Sequence, residues 1–281
     1  MLLANALEWA QKSLANRFKN DAGREAYELL LCLDCFKNKS EIIINLHRVA
    51  LSETQVIKLS ELIDRRANGE PLAYLRGYEY FCGRAFIVSP EVLIPRPETE
   101  LIPQRAQELA ATSIIPQNAQ CIDIGTGSGA LAATLKLELP ETEWLACDVS
   151  FQCLSLARIN FERLNADVKL LQSFCLRSLR GSFDLIVSNP PYLDIDDRTI
   201  QPEVHQFEPH LALYSPKNGL ELIYEIIDST HQLLKPNGKL LMEIGARQYS
   251  ILEPLLKSSN FFQYSCHYDW NNFPRILELT K

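Results

Sequence analysis

The chain has 281 residues, 47% apolar and 22% charged, which suits about two domains with sizeable cores rather than a disordered polyampholyte. Thirty-five acids against 28 bases leave a net charge of −7, which argues against broad, sequence-independent binding to nucleic-acid phosphates. No apolar run approaches the roughly 18 residues of a membrane span, and Met1-Leu2-Leu3-Ala4-Asn5-Ala6-Leu7-Glu8 meets an acid with no basic stretch before it. The expectation is a soluble, cytoplasmic protein with no membrane partner.

The first 70 or so residues read as helices. Ala6, Leu7, Ala10 and Leu14 recur at helical spacing, as do Ala26, Leu29, Leu30 and Leu33. Cys32-Leu33-Asp34-Cys35 has CxxC spacing, but it ends a leucine-rich run without a second ligand pair, so buried helix thiols are the plainer reading. No metal site is expected. Ser52-Glu53-Thr54-Gln55 has the form of a capping box, followed by the apolar stripe Val56, Leu59, Leu62 and Ile63 and stopped by Asn68-Gly69-Glu70-Pro71. Aromatic and β-branched residues on both sides of Cys82-Gly83-Arg84 predict a hairpin. Pro95-Arg96-Pro97 forms a stiff linker, and a helix begins at Glu98-Thr99-Glu100.

Beyond this point strands and helices alternate. Strands are predicted at 121–124, 143–147, 168–171, 183–187 and 238–244. Helices are predicted at 128–139, 151–164 and 219–234, and a terminal hairpin at 261–268 with 275–279. Such alternation implies a mostly parallel sheet covered by helices on both faces. The boundaries this suggests are a helical domain over 1–75, a hairpin linker over 76–96 and a catalytic domain over 97–281.

Three stretches carry chemistry. Asp123-Ile124-Gly125-Thr126-Gly127-Ser128-Gly129 lies between a strand and a helix, where glycines let the backbone approach a ligand and the helix start offers unpaired N–H groups. By itself this loop suits either a dinucleotide or S-adenosylmethionine. Asp148 ends the next strand, 21 residues after Gly127, where either kind of site places an acid for ribose hydroxyls. Ser188-Asn189-Pro190-Pro191-Tyr192 directly follows the strand ending at Val187. An amide or aryl amine nitrogen is a poor nucleophile because its lone pair is delocalised. The Asn189 side-chain oxygen and a carbonyl near Pro190 would accept its two N–H bonds and orient it. The prolines fix that backbone, and Tyr192 is placed to pack on a planar target group.

With these residues the chain resembles the PrmC/HemK family of release factor protein-(glutamine-N5) methyltransferases. The resemblance also rests on Gly69-Glu70-Pro71-Leu72-Ala73-Tyr74-Leu75-Arg76-Gly77, on Val92-Leu93-Ile94-Pro95-Arg96-Pro97-Glu98-Thr99-Glu100, and on Phe207-Glu208-Pro209 with Ala212-Leu213, so it spans essentially the whole chain. It implies an α/β protein: a class I SAM-dependent methyltransferase domain with a Rossmann-like seven-stranded sheet whose last strand is antiparallel, a small all-α N-terminal domain that engages the release factor, and a connecting β-hairpin. It implies S-adenosyl-L-methionine as cofactor, S-adenosyl-L-homocysteine as product, and class 1 peptide chain release factors as the protein substrate, with no direct nucleic-acid binding. The residues implied for the cofactor are Asp123, Ile124, Gly125, Thr126, Gly127, Asp148 and Asn189. Those implied for the glutamine of a Gly-Gly-Gln loop are Asn189, Pro190, Pro191 and Tyr192, with Leu93, Arg96 and Glu98 over the same pocket. Asn189, Pro190 and Tyr192 are the expected catalytic set.

One departure stands out. The family usually carries an acid and an aromatic residue near the adenine, whereas here Gln172-Ser173 is followed by Phe174-Cys175-Leu176. Phe174 and Cys175 are the adenine contacts expected in their place. A second reading of the same tetrapeptide is an adenine-N6 or cytosine-N4 nucleic-acid methyltransferase; the acidic balance and the absence of a basic run weigh against it. A third is a non-catalytic scaffold, which the intact loop and tetrapeptide oppose.

Overall fold

The computed structural model describes residues 1–33, 35–173 and 181–281. The chain forms two compact units, Met1–Tyr78 with Pro202–Phe207, and Glu79–Gln201 with Glu208–Lys281.

In the first unit the helices are α1 (Leu3–Phe18), α2 (Ala22–Leu31), α3 (Lys39–Asn45), α4 (Glu53–Ala67) and α5 (Leu72–Arg76). Their apolar stripes meet in one core that includes Ala6, Ala10, Leu14, Ala26, Leu29, Leu30, Leu59, Leu62 and Ile63, as the periodicity predicts. Helix α4 starts on the predicted capping box: Ser52 Oγ accepts from Gln55 N at 3.2 Å, and Gln55 Oε1 accepts from Ser52 N at 2.8 Å. Gly69 ends it with φ of +101°, and a Cβ there would sit 2.3 Å from the Arg17 guanidinium. Buried Glu25 accepts from Arg66 Nε at 2.6 Å, so its charge is paired. Cys32 and Cys35 lie just past the end of α2 rather than within it, and Cys32 Sγ donates to Glu28 O at 3.2 Å.

Nothing in the sequence pattern suggests that a late segment returns to this unit. Helix Pro202–Phe207 does so, and Arg17 Nη2 donates to Glu203 Oε1 at 2.7 Å.

The second unit opens with the predicted hairpin, β1 (Tyr78–Phe81) and β2 (Arg84–Ile87). Its two-residue turn, Cys82-Gly83, takes positive φ at both positions, the arrangement whose twist matches the strands on either side. There follow α6 (Leu101–Ala111), β3 (Gln120–Ile124), α7 (Ala130–Glu138), β4 (Glu143–Asp148), α8 (Phe151–Leu164), β5 (Val168–Gln172) and β6 (Phe183–Ser188). After the helix at Pro202–Phe207 (α9) come the short turns α10 (His210–Leu213) and α11 (Pro216–Gly219), then α12 (Glu221–Leu233), β7 (Leu234–Glu243), α13 (Tyr249–Lys257), β8 (Gln263–Tyr268) and β9 (Pro274–Thr280).

The strands form one seven-stranded sheet in the order β5-β4-β3-β6-β7-β9-β8. All neighbouring pairs from β5 to β7 are parallel, and β9 runs antiparallel to both β7 and β8. The last strand is therefore antiparallel, as the resemblance implies. Helices α6, α7 and α8 with Phe81 and Phe86 cover one face, and α12 and α13 cover the other. The chain moves outward from β3 through β4 to β5 and then returns to place β6 on the other side of β3. The carboxyl ends of β3 and β6 thus bound a topological switch point, where sheets of this kind bind ligands. No helix among the described residues is long and apolar enough to cross a membrane.

Candidate active site

The three predicted stretches leave adjacent strands at one end of the sheet. Ile124 pairs with Ser188 and with Cys147, so the glycine loop, Asn189 and Asp148 emerge side by side. They border a cavity of about 560 Å³, within the range of small-molecule sites. Its lining includes Leu93, Arg96, Asp123, Ile124, Gly125, Thr126, Gly127, Asp148, Asn189, Pro190 and Pro191. Phe174 and Cys175 lie outside the described residues.

The three loop glycines, with φ of +74°, +53° and +80°, do different work. A Cβ on Gly125 or Gly127 would meet nothing within 4 Å, so backbone conformation and the open cavity account for these two. A Cβ on Gly129 would sit 2.5 Å from the Phe161 ring, so this glycine lets α7 pack closely on α8. Buried Asn160 fixes the loop from behind. Its Nδ2 donates to Ser128 O at 2.8 Å and Ile87 O at 3.0 Å, and its Oδ1 accepts from Ile87 N at 2.8 Å, which ties β2 to the same loop.

Two carboxylates brace the loop. Asp148 Oδ2 accepts from Gly127 N at 2.9 Å and Oδ1 from Ser150 N at 2.9 Å. Burial raises its carboxyl above the ordinary range, opposed by those backbone N–H groups. Asp123 is almost fully buried and accepts from Thr126 Oγ1 at 2.7 Å. Burial pushes its carboxyl up to about 7, with Thr126 opposing and Asp148 adding to the rise. Between the usual aspartate value of about 4 and about 7, the folded chain holds more proton at Asp123 than the unfolded chain. Its contribution to stability therefore falls as pH rises through that window. Asp123→Asn is expected to flatten this part of the profile, read by urea denaturation of both proteins at about pH 5 and about pH 8; an unchanged slope would count against the assignment.

On the other side of the switch point, Asn189 Nδ2 donates to Thr99 Oγ1 at 2.9 Å, which leaves the Asn189 oxygen uncommitted among the described residues. Thr99 Oγ1 donates to Glu243 Oε2 at 2.5 Å, and Tyr192 OH donates to Glu243 Oε1 at 2.9 Å. Glu243 is fully buried at the end of β7, and burial raises its carboxyl above the ordinary range. Tyr192 is not among the residues that line the cavity: its ring packs against the core that α12 and α13 cover, and its hydroxyl donates to Glu243. Glu98 does not line the cavity either, whereas its neighbour Thr99 does.

The remaining resemblance stretches meet here as well. Glu208 is buried and accepts from Ile94 N at 3.3 Å and from the Arg96 guanidinium. The proline-rich segment is thereby fastened to the stretch at 208–213. Residues the sequence reading missed are Thr99, Glu243, and the cavity walls from Tyr214, Glu221 and Glu225. Glu243 had one available signal: it is a lone acid closing the apolar run Leu240-Leu241-Met242. Including Glu91, the described residues of the cavity lining carry five acids and one base, Arg96, a balance that favours a positively charged ligand.

Comparison with known proteins agrees with this geometry. Residues 106–207 match the methyltransferase small domain and residues 5–77 the PrmC N-terminal domain. A methyltransferase from Pyrococcus furiosus superposes with a TM-score of 0.51 at 21% identity, covering 79% of this chain and 98% of its own. The 16S rRNA N2 G1207 methyltransferase of T. thermophilus, solved with AdoMet and guanosine, gives 0.52 at 19% identity, covering 73% and 49%. At such identities the likeness establishes the fold, that of a class I SAM-dependent methyltransferase.

Full-length relatives narrow the class. The release factor glutamine methyltransferase of Koribacter versatilis is 36% identical over 282 residues, covering 99% of this chain and 95% of its own. That of Salmonella typhimurium is 34% identical, covering 95% and 96%. The chain belongs to the release factor glutamine methyltransferase family.

Proposed function

We propose that the protein transfers a methyl group from S-adenosyl-L-methionine to the side-chain amide nitrogen of the glutamine in the Gly-Gly-Gln motif of class 1 peptide chain release factors. S-adenosyl-L-homocysteine is the product, and the reaction belongs in the cytoplasm. The observation that carries the reading is Asn189, whose NH2 group is held by Thr99 while its carbonyl oxygen is uncommitted among the described residues, one strand away from an open glycine loop.

The residues fit the cofactor. Gly125 and Gly127 leave the loop backbone open to it, and Asp123 and Thr126 hold that loop in place from below. Asp148, braced by the Gly127 and Ser150 backbone N–H groups at the end of β4, would accept from the ribose hydroxyls. Ile124, beside the loop, supplies an apolar wall, and the acid-rich lining suits a ligand with a positive centre. When bound, the cofactor supplies an electrophilic methyl group on a sulfonium.

The protein's own part is orientation. Asn189 Oδ1 and the Pro190 carbonyl accept the two N–H bonds of the target amide, holding its nitrogen in one direction and favouring the pyramidal geometry at which the lone pair becomes available. Pro190 and Pro191 keep that backbone from turning away. Leu93 and Arg96 wall the target side, and Glu208 holds the Arg96 guanidinium. Once the new N–C bond forms, the nitrogen is acidic enough to release its proton to solvent, so no general base is required. The helical unit is the part that engages the release factor.

The test is incubation of the protein with S-adenosylmethionine and a release factor, followed by mass spectrometry of the peptide that contains the Gly-Gly-Gln motif. The expected result is a gain of one methylene on that glutamine, absent from a release factor carrying Ala in its place. An unmodified wild-type peptide would overturn the reading.

A further inference from the structure

The hydrogen bonds behind Asn189 run in one direction, and that direction decides which end of its amide faces the cavity. Glu243 lies at the carboxyl end of β7, one residue past Met242, which pairs with Ser188. Both Glu243 oxygens act as acceptors, one from Thr99 Oγ1 at 2.5 Å and the other from Tyr192 OH. Thr99 has a single hydroxyl proton, and Glu243 takes it. What Thr99 then offers Asn189 is a lone pair, so it must be the Asn189 NH2 group that turns toward it, at 2.9 Å. Tyr192 occupies the second Glu243 oxygen at 2.9 Å, so the carboxylate is satisfied on both sides although fully buried.

We propose that Thr99 and Glu243 are positioning residues that lock Asn189 with its carbonyl oxygen toward the substrate, with the Tyr192 hydroxyl filling the second Glu243 oxygen. The inference rests on the function proposed above. It assigns a purpose to a fully buried acid outside the cavity lining, and it links the proline-rich segment, the tetrapeptide and β7 into one device. If the amide turned over, two N–H donors would face the two N–H groups of the target, and orientation by Asn189 would be lost.

Thr99→Val keeps the shape of the side chain but removes its acceptor. It is expected to lower kcat for methyl transfer on the order of 10- to 100-fold, with the Kd for S-adenosylmethionine, read by calorimetry, moving less than about twofold. Thr99→Ser, which retains the hydroxyl, is expected to recover most of the loss. A Thr99→Val protein with near-normal kcat, or a Thr99→Ser protein as impaired as Thr99→Val, would overturn the proposal.

A second measurement does not depend on either variant folding. In wild-type protein labelled with 15N-asparagine, the Asn189 side-chain NH2 signal is identified by its loss in Asn189→Asp. It should show slowed exchange with solvent; free exchange of both protons would overturn the lock. The two readings fail separately. A wild-type protein that leaves the release factor unmodified defeats the proposed function, whereas a fully active Thr99→Val defeats only the relay.

Discussion

Asn189→Ala is expected to reduce the single-turnover rate of methyl transfer by about 10²- to 10³-fold, the usual effect of removing one well-placed polar partner from a reacting group. The side chain is half-buried, and among the described residues its hydrogen bond goes to Thr99. Truncation should therefore leave the sheet intact while the target amide loses its acceptor. Asn189→Asp sharpens the prediction. It is the same size and still offers oxygen atoms, but it cannot donate to Thr99, whose proton is committed to Glu243. Two acceptors would then face one another next to a buried carboxylate, so the aspartate variant should be about as slow as the alanine one. Rapid mixing at saturating cofactor, with the methylated peptide counted by mass spectrometry, reads both. An aspartate variant close to wild type would mean that oxygen content alone matters and that the link to Thr99 does not.

Gly219→Ala should have the largest effect on stability. Gly219 has φ of +80°, and a Cβ built on it would lie 2.0 Å from the Tyr192 carbonyl oxygen and 3.0 Å from Gln248 Nε2. A left-handed conformation costs a residue with a side chain about 1–2 kcal/mol, and overpacking typically adds about 1–3 kcal/mol. A loss of about 2–5 kcal/mol is expected on this basis. The atom that would have to move is backbone of the same loop that carries Asn189. Gln248 Nε2 also donates to that carbonyl at 2.9 Å and to Gly219 O at 3.3 Å, so little slack remains. Activity should fall together with stability. Gly125→Ala provides the contrast: nothing lies within 4 Å of its Cβ, so only the conformational cost of about 1–2 kcal/mol applies. Urea denaturation compares the two, and equal losses would show that the close approach to Tyr192 has no weight.

The architecture is largely legible in the sequence because its signals are local. The capping box at Ser52, the stripe through Leu59 and Leu62, and the strand at 121–124 each depend on neighbours within a few residues. Helix 151–164 and the hairpin around Cys82-Gly83-Arg84 are read in the same way. The features that escape depend on distant partners. Gly219 reads as the start of a helix, yet its left-handed conformation is set against Tyr192, and the helix begins at Glu221. Pro254 masks α13, where it sits inside the helix.

The candidate site divides in the same way. The glycine loop, Asp148 and Asn189 announce themselves because each follows directly on a strand. Thr99 and Glu243 do not, because their meaning lies in a contact spanning 144 residues. Tyr192 reads as a target contact because it adjoins the prolines; the bond from its hydroxyl to Glu243, on a different strand, carries no local signal.

The helical unit is discontinuous in the chain: Pro202–Phe207 belongs with Met1–Tyr78, and Glu203 holds Arg17. Any exchange of this unit between relatives must therefore move two stretches of coding sequence. A chimera that grafts only 1–78 would carry a foreign residue at position 17 opposite the native Glu203. A fragment ending at 78 would lack one of its own helices. Both sides of that pairing are inherited together, although more than a hundred residues of catalytic domain are written between them.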